Sequence, residues 1–329
     1  MESKKGDFMR TTAEFCYMLD GSGKAKSVPL REVSNRTKSP IWVHIDYTNT
    51  KSQEWLQKQK LPSTVFENLI DSDTTPRYFK EKNGILIVLR GVNVTEDEED
   101  NMIALHVWMT KNRLLTLSHR RLPTIAKILN EFKKGKGPQT LEDCFVEIAR
   151  QMNARIENTL VDINDEDDEL EEAVILETSF REDANLRHRL SILRRKVVGL
   201  RRYLVPQRDM MNKLCAETDL FDQENLQQLQ EVARDLGAIV SELDFVRDHS
   251  AVTQEELDAQ TNIEISRTMY LMSLIMVIFT PLTFVTGLLG ANVGGIPFGN
   301  HSSGFLFITI ILVLLACFQA WILKKIHWL

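Results

Sequence analysis

The residues able to do chemistry here cluster in residues 268–323, a stretch without one Asp, Glu, Lys or Arg. Met269, Met272, Met276, Thr280, Thr283, Gly287 and Gly290 succeed one another in steps of three or four. One helical face would therefore carry thioethers, then hydroxyls, then glycines, with Leu271, Leu274, Ile278, Leu282 and Val285 on the opposite face. Such a face suits the lining of a pore or close helix packing, and its chemistry alone does not separate the two. The stripe ends at Gly290-Ala291-Asn292, where Asn292 brings an amide oxygen without fixed charge. One hairpin cannot enclose a pore, but several copies around an axis can. The turn backbone and the Asn292 oxygens would then ring the outer mouth and hold a hydrated cation through its water shell. The three methionines could form a dry constriction; neutral thioether is a weak zinc ligand beside thiolate or imidazole. His301 adds one imidazole as a candidate metal ligand, although an exposed loop histidine is the simpler reading.

The elements that position these residues are two apolar runs, 269–289 and 305–323. Each is close to the ~20 residues a helix needs to cross a ~30 Å hydrocarbon core. Gly290, Gly294, Gly295 and Pro297 interrupt them. The sequence thus predicts a first span at 268–290, an external loop at 291–303 and a second span at 304–323. Arg267 precedes the first span and Lys324, Lys325 and His327 follow the second, while the loop carries only His301. Basic flanks favour the cytoplasmic side, so both termini, including the tail 324–329, are expected inside. Lys4, Lys5, Asp7 and Arg10 break up any apolar N-terminal run, so no secretory signal is expected.

Residues 223–267 are expected to form the stalk of the first span. Leu229, Val232, Leu236, Ile239, Leu243 and Val246 make a heptad seam for packing on other helices. With no proline between Gln207 and Pro281, one helix of roughly 100 Å could run from Gln223 to Leu289. Beyond Val246 the seam turns polar through Ser250, Thr253, Glu255, Asn262 and Ser266. Continuation of a polar stripe into the membrane run favours a wet channel over packing. Upstream, 141–222 reads as a helical hairpin with the stripe Phe145, Ile148, Met152, Ile156, Leu160 and Ile163. An acidic block from Asp165 to Glu172 precedes a turn near Thr178, and a basic helix from Arg187 to Arg202 follows it. Folding back would set Asp168 beside His188 and Asp162 beside Arg194. Copies of the acidic block could also concentrate cations.

Residues 1–140 read as an α/β domain. Phe15–Leu19, 41–47, 84–89, 102–109 and 114–118 are strand-like; 51–60, 63–71 and 123–133 are helix-like, with Ser63 as a cap. Gly135-Lys136-Gly137-Pro138 closes the domain. His44 and Asp46, two apart on one strand face, could be half of a metal site; a hydrogen-bonded pair at a sheet edge is the simpler reading. His106 and His119 have no acidic neighbour in sequence. The scattered Cys16, Cys144, Cys215 and Cys317 contain no C-x-x-C, so neither disulfides nor structural zinc is expected.

The run Pro281-Leu282-Thr283-Phe284-Val285-Thr286-Gly287-Leu288-Leu289-Gly290-Ala291-Asn292-Val293-Gly294-Gly295-Ile296-Pro297 resembles the CorA metal-ion transporter superfamily, and within it the zinc-transporting (ZntB) branch. The superfamily signature is Gly-Met-Asn after the first of two C-terminal spans, and that branch usually has valine in the middle; here the position is Ala291. Leu200-Arg201-Arg202-Tyr203-Leu204-Val205-Pro206-Gln207-Arg208-Asp209 and the Trp328-Leu329 ending fit the same branch. The resemblance implies a funnel-shaped homopentamer in a bacterial inner membrane: an α/β cytoplasmic domain with a sheet sandwiched by helices, long helices, and a two-span all-α transmembrane hairpin. It implies Zn2+ as the transported ion, with protons as a candidate coupled ion and Co2+, Ni2+, Cd2+ or Mg2+ as alternative cargo. Magnesium-carrying relatives usually place a Met-Pro-Glu run after the Asn; this chain has Gly295-Ile296-Pro297-Phe298, with no carboxylate.

The pore-lining residues expected are Asn262, Ser266, Met269, Met272, Met276, Thr280, Thr283 and Gly287, with Gly290, Ala291 and Asn292 at the mouth. A net charge of −6 gives no reason to expect nucleic acid as a partner. No phosphate loop, nucleophile–base spacing or His-Glu-x-x-His occurs in the sequence, so neither enzymatic activity nor a catalytic cofactor is expected. A magnesium or cobalt channel is the rival reading. A membrane-anchored scaffold or signalling protein is the rival from another class, and it predicts no ion flux.

Overall fold

The computed structural model of the chain describes residues 14–33, 39–71, 73–92, 102–176, 183–291 and 303–325. They fall into two compact units, Met1–Thr253 and Gln254–Leu329.

The first unit is built on a seven-stranded mixed sheet. Its strands are β1 (Phe15–Leu19), β2 (Ala25–Ser27), β3 (Ile41–Ile45), β4 (Arg77–Glu81), β5 (Gly84–Val92), β6 (Met102–Thr110) and β7 (Arg113–Leu117), in the spatial order β2-β1-β3-β7-β6-β5-β4. Among the described residues, only β3 and β7 pair in parallel. β5 and β6 are buried almost end to end because both faces are covered, which explains their near-continuous apolar sequences. Against one face lie α1 (Thr50–Lys58) and α2 (Ser63–Ile70), closing a core of Val43, Ile45, Leu56, Leu69, Trp108 and Leu115. On the other lie α3 (Pro123–Lys134) and α4 (Leu141–Leu176). Phe132 of α3 packs on Trp42, and α4 approaches β5 so closely that a Cβ on Gly91 would sit 2.9 Å from the Met152 methyl. α3 stops where Gly135 takes a left-handed conformation (φ 69°) and its N–H caps the last turn.

Two expectations for this unit are corrected. α2 begins after Pro62 with no side-chain cap, so Ser63 is its first residue and not its cap. β3 is an interior strand between β1 and β7, not a sheet edge.

α4 folds back as α5 (Asp183–Glu217), and both pack against the long helix α6 (Gln223–Leu289), whose residues up to Thr253 belong to this unit. Leu229, Val232, Leu236, Ile239, Leu243 and Val246 are all buried within one chain. At ~1.5–3 kcal/mol for each apolar side chain buried, the seam outweighs the exposed ion pairs, worth ~0–1 kcal/mol each. Buried polar groups fix the register: Asn153 Nδ2 donates to the Val232 carbonyl (2.8 Å), and Gln207 brackets Arg90, accepting from its backbone N–H (2.6 Å) and donating to its carbonyl (3.2 Å).

In the second unit, residues 254–289 of α6 are followed by α7 (Gly304–Lys325). At ~1.5 Å per residue, the 22 residues of α7 extend about 33 Å, enough to cross a bilayer core. Large apolar side chains lie open along both helices, Phe284 at 69% and Phe305 at 84% exposure. A contiguous apolar surface of this kind belongs in lipid or against protein, and two helices of this length and composition fit a membrane protein.

Candidate functional site

The faces of the two helices sort largely as the sequence predicts, except that Leu271, expected on the face opposite the stripe, is 51% exposed. On α6, Leu274, Ile278, Leu282 and Val285 are half-buried, while Met269, Met272, Met276, Thr280, Thr283, Gly287 and Gly290 are exposed. On α7, Ile308, Leu312, Leu315, Ala316, Gln319 and Ile322 are half-buried, again at helical spacing. The two half-buried faces meet where Gln319 Nε2 donates to the Val277 carbonyl (3.4 Å). The thioether–hydroxyl–glycine stripe is therefore left uncovered by the chain's own second span. Glycine inside a helix costs about 1 kcal/mol against alanine, yet a Cβ on Gly287 would meet nothing within 4 Å in this chain. Packing within one copy does not require that glycine.

Asn262 and Ser266, upstream on the same helix, are also exposed, and Ala291 lies just past the helix end. Asn292 and His301 fall outside the described residues, as does most of the loop 291–303. α7 ends with Lys324 and Lys325, and Lys325 Nζ sits 5.3 Å from the centre of the Trp321 ring. An aromatic residue beside basic side chains at the end of an apolar helix suits the membrane–water boundary.

The start of the polar seam does not extend a wet channel, contrary to the expectation from sequence. Ser250 and Thr253 do continue the seam beyond Val246, but both are buried. Their hydroxyls donate back to carbonyls of their own helix, Ser250 to Arg247 (3.1 Å) and Thr253 to His249 (3.1 Å). They are small packing residues, and a hydroxyl satisfied in this way needs no water.

The acidic block is divided between two helices. Glu169 takes Arg189 of α5 (3.2 Å). Asp167 and Glu171 instead grip His249 of α6, through Nδ1 (2.6 Å) and Nε2 (3.3 Å), with Phe245 stacked on the ring. The hydrogen bond to Asp167 is the main reason the His249 pKa is raised. Burial pushes that of Asp167 up, which His249 partly offsets. Arg201 of α5 likewise reaches Asp244 of α6. Opposite charges thus do meet across the hairpin, at Glu169 and Arg189, which is not one of the pairs expected from sequence. Part of the acidic block faces the stalk helix instead, a contact that charge order along the chain could not reveal.

The pair His44 and Asp46 is not half of a metal site. Trp42 Nε1 donates to Thr116 Oγ1 (2.9 Å), and that oxygen lies 2.9 Å from His44 Nδ1, while Ser118 Oγ stands 3.5 Å from Nε2. Full burial lowers the His44 pKa to about 3, so the ring is neutral at physiological pH. Asp46 Oδ1 accepts from the Thr48 N–H (2.8 Å) and hydroxyl (2.7 Å), a local turn. His106 Nδ1 meets the Asn68 carbonyl, and His119 Nδ1 meets the Tyr47 hydroxyl. All four side chains serve the fold.

Comparison with known proteins gives the family and the fold. The family described as CorA-like Mg2+ transporter protein matches residues 37–325. A protein named Zinc transport protein ZntB from Yersinia pseudotuberculosis is 32% identical over 96% of this chain and 96% of its own length. Among solved structures, the full-length CmaX protein is 30% identical, with a TM-score of 0.80 over 96% of this chain and 99% of its own. The CorA magnesium transporter from Methanocaldococcus jannaschii shares the fold at 17% identity, with a TM-score of 0.80 over 97% of this chain and 99% of its own.

Proposed function

Because the chain belongs to the CorA-like Mg2+ transporter protein family, we propose that it carries divalent metal cations across a membrane, with zinc as the principal cargo. The observation that carries this reading is the exposed stripe from Met269 to Gly290, on a face of α6 that α7 leaves open. Arranged around an axis in a homopentamer, five such stripes would line a neutral pore. Asn262 and Ser266 would stand at its inner approach, and Met269, Met272 and Met276 would form a constriction that gates by dewetting. Thr280, Thr283 and Gly287 would line the outer half, with Gly290, Ala291 and Asn292 at the mouth. The basic end of α7 and Arg267 support a reading in which both termini face the cytoplasm, in a bacterial inner membrane. This role is transport and assigns no catalysis.

Two features support zinc over magnesium. The relative from Yersinia pseudotuberculosis carries the name of a zinc transport protein. In addition, no carboxylate occurs anywhere in residues 268–323. Magnesium sheds its water reluctantly and gains most from a ring of negative charge, whereas zinc depends less on such a ring because it readily accepts nitrogen donors. The test is zinc uptake by liposomes containing the purified protein, followed with an entrapped zinc-sensitive dye. Uptake is expected well above that of protein-free liposomes, and comparing runs with and without a pH gradient reports proton coupling. Uptake equal to protein-free liposomes would favour the anchored-scaffold reading.

A further inference from the structure

Pro281 lies inside α6, and proline has no backbone N–H. The carbonyl four residues back, on Val277, therefore loses its helical donor. In a soluble helix water would serve, but in hydrocarbon an unsatisfied carbonyl is costly. The donor that reaches Val277 is Gln319 Nε2 of α7 at 3.4 Å. The acceptor is a carbonyl, so the amide orientation follows from chemistry: nitrogen must face it. Gln319 is the only Asn, Gln or charged residue in α7 before Lys324. Its Oε1 is enclosed and has no partner among the described residues. An apolar residue would avoid that cost, so the glutamine needs a reason to be there.

We propose that Gln319 is a positioning residue whose amide supplies the hydrogen bond that Pro281 removes, fixing α7 in register on α6 and holding the interrupted turn in one geometry. Thr280 and Thr283 flank that turn, so the bond sets the direction in which their hydroxyls point. The structural part of the proposal is independent of the transport reading; only the effect on flux rests on it.

The test is a double-mutant cycle in the full-length purified protein. Gln319→Leu removes the donor, and Pro281→Ala restores the backbone N–H. In the wild-type background Gln319→Leu is expected to lower the melting temperature by about 2–4 °C and to reduce zinc flux. In the Pro281→Ala background the same substitution should be neutral or stabilising, because the restored N–H bonds the Val277 carbonyl itself and the enclosed Oε1 is gone. Should Pro281→Ala fail to assemble, Pro281→Ser restores the same N–H and completes the cycle. An equal loss of melting temperature from Gln319→Leu in both backgrounds would overturn the proposal, since a glutamine that merely packs does not depend on what occupies position 281. Coupling in melting temperature with no zinc flux in any variant would keep the latch and discard the transport reading.

Discussion

Replacing Asn292 by alanine is expected to bring zinc flux to the level of protein-free liposomes while leaving the oligomer assembled. The expectation follows from how little polar chemistry the chain offers at the outer mouth. Residues 268–323 hold no charged side chain, and the stripe on α6 narrows from methionines through hydroxyls to glycines before it reaches Asn292. In the proposed pore, a hydrated dication arriving there would exchange bulk water chiefly for backbone carbonyls and a ring of amide oxygens. Alanine at 292 would delete that ring and add an apolar collar, leaving only backbone carbonyls to compensate the ion for lost water. The substitution leaves the long helices unchanged, so oligomer size measured by light scattering should match wild type. Wild-type flux from an assembled Asn292→Ala protein would remove the mouth motif from the account.

The second large effect concerns the wall of the proposed pore. Thr283→Leu is expected to cut flux about tenfold or more, equivalent to ~1.4 kcal/mol on the barrier, whereas Leu282→Ala should change it much less. The two positions are neighbours with opposite surroundings: Leu282 is half-buried on the face that meets α7, and Thr283 is exposed on the stripe. Leucine at 283 replaces a hydroxyl by a branched apolar group in each copy, raising the cost of water and ion passage. Alanine at 282 removes volume from a packing face and should act chiefly on stability. Equal losses of flux in a matched assay would make the stripe a packing surface.

What could be read from sequence depended on whether one chain's pattern carries the information. β5 and β6 were legible because strands buried on both faces are continuously apolar, and the stripes of α4 and α6 because burial repeats at the helical period. β2 (Ala25–Ser27) and β4 (Arg77–Glu81) were missed: they are the two outer strands, largely open to solvent, and polar sequences there look like loops. The grip of Asp167 and Glu171 on His249 was illegible because helical periodicity gives a face and not the neighbour that face meets. The reading of Ser250 and Thr253 as channel lining failed for a related reason, since a small hydroxyl residue that bonds its own helix packs as readily as alanine. The composition of the stripe on the first span was legible from spacing, but not whether it is covered; nor was the bond from Gln319 to Val277, because both need the rotation of two helices about each other.

The central claim, a cation transporter whose cargo is zinc, meets its most direct test in side-by-side uptake of zinc and magnesium into liposomes holding the purified protein, at equal free concentration and fixed pH. The neutral mouth at Asn292 and the absence of carboxylates up to Leu323 predict faster zinc entry than magnesium entry. Faster magnesium than zinc would contradict the account and assign the chain to magnesium transport.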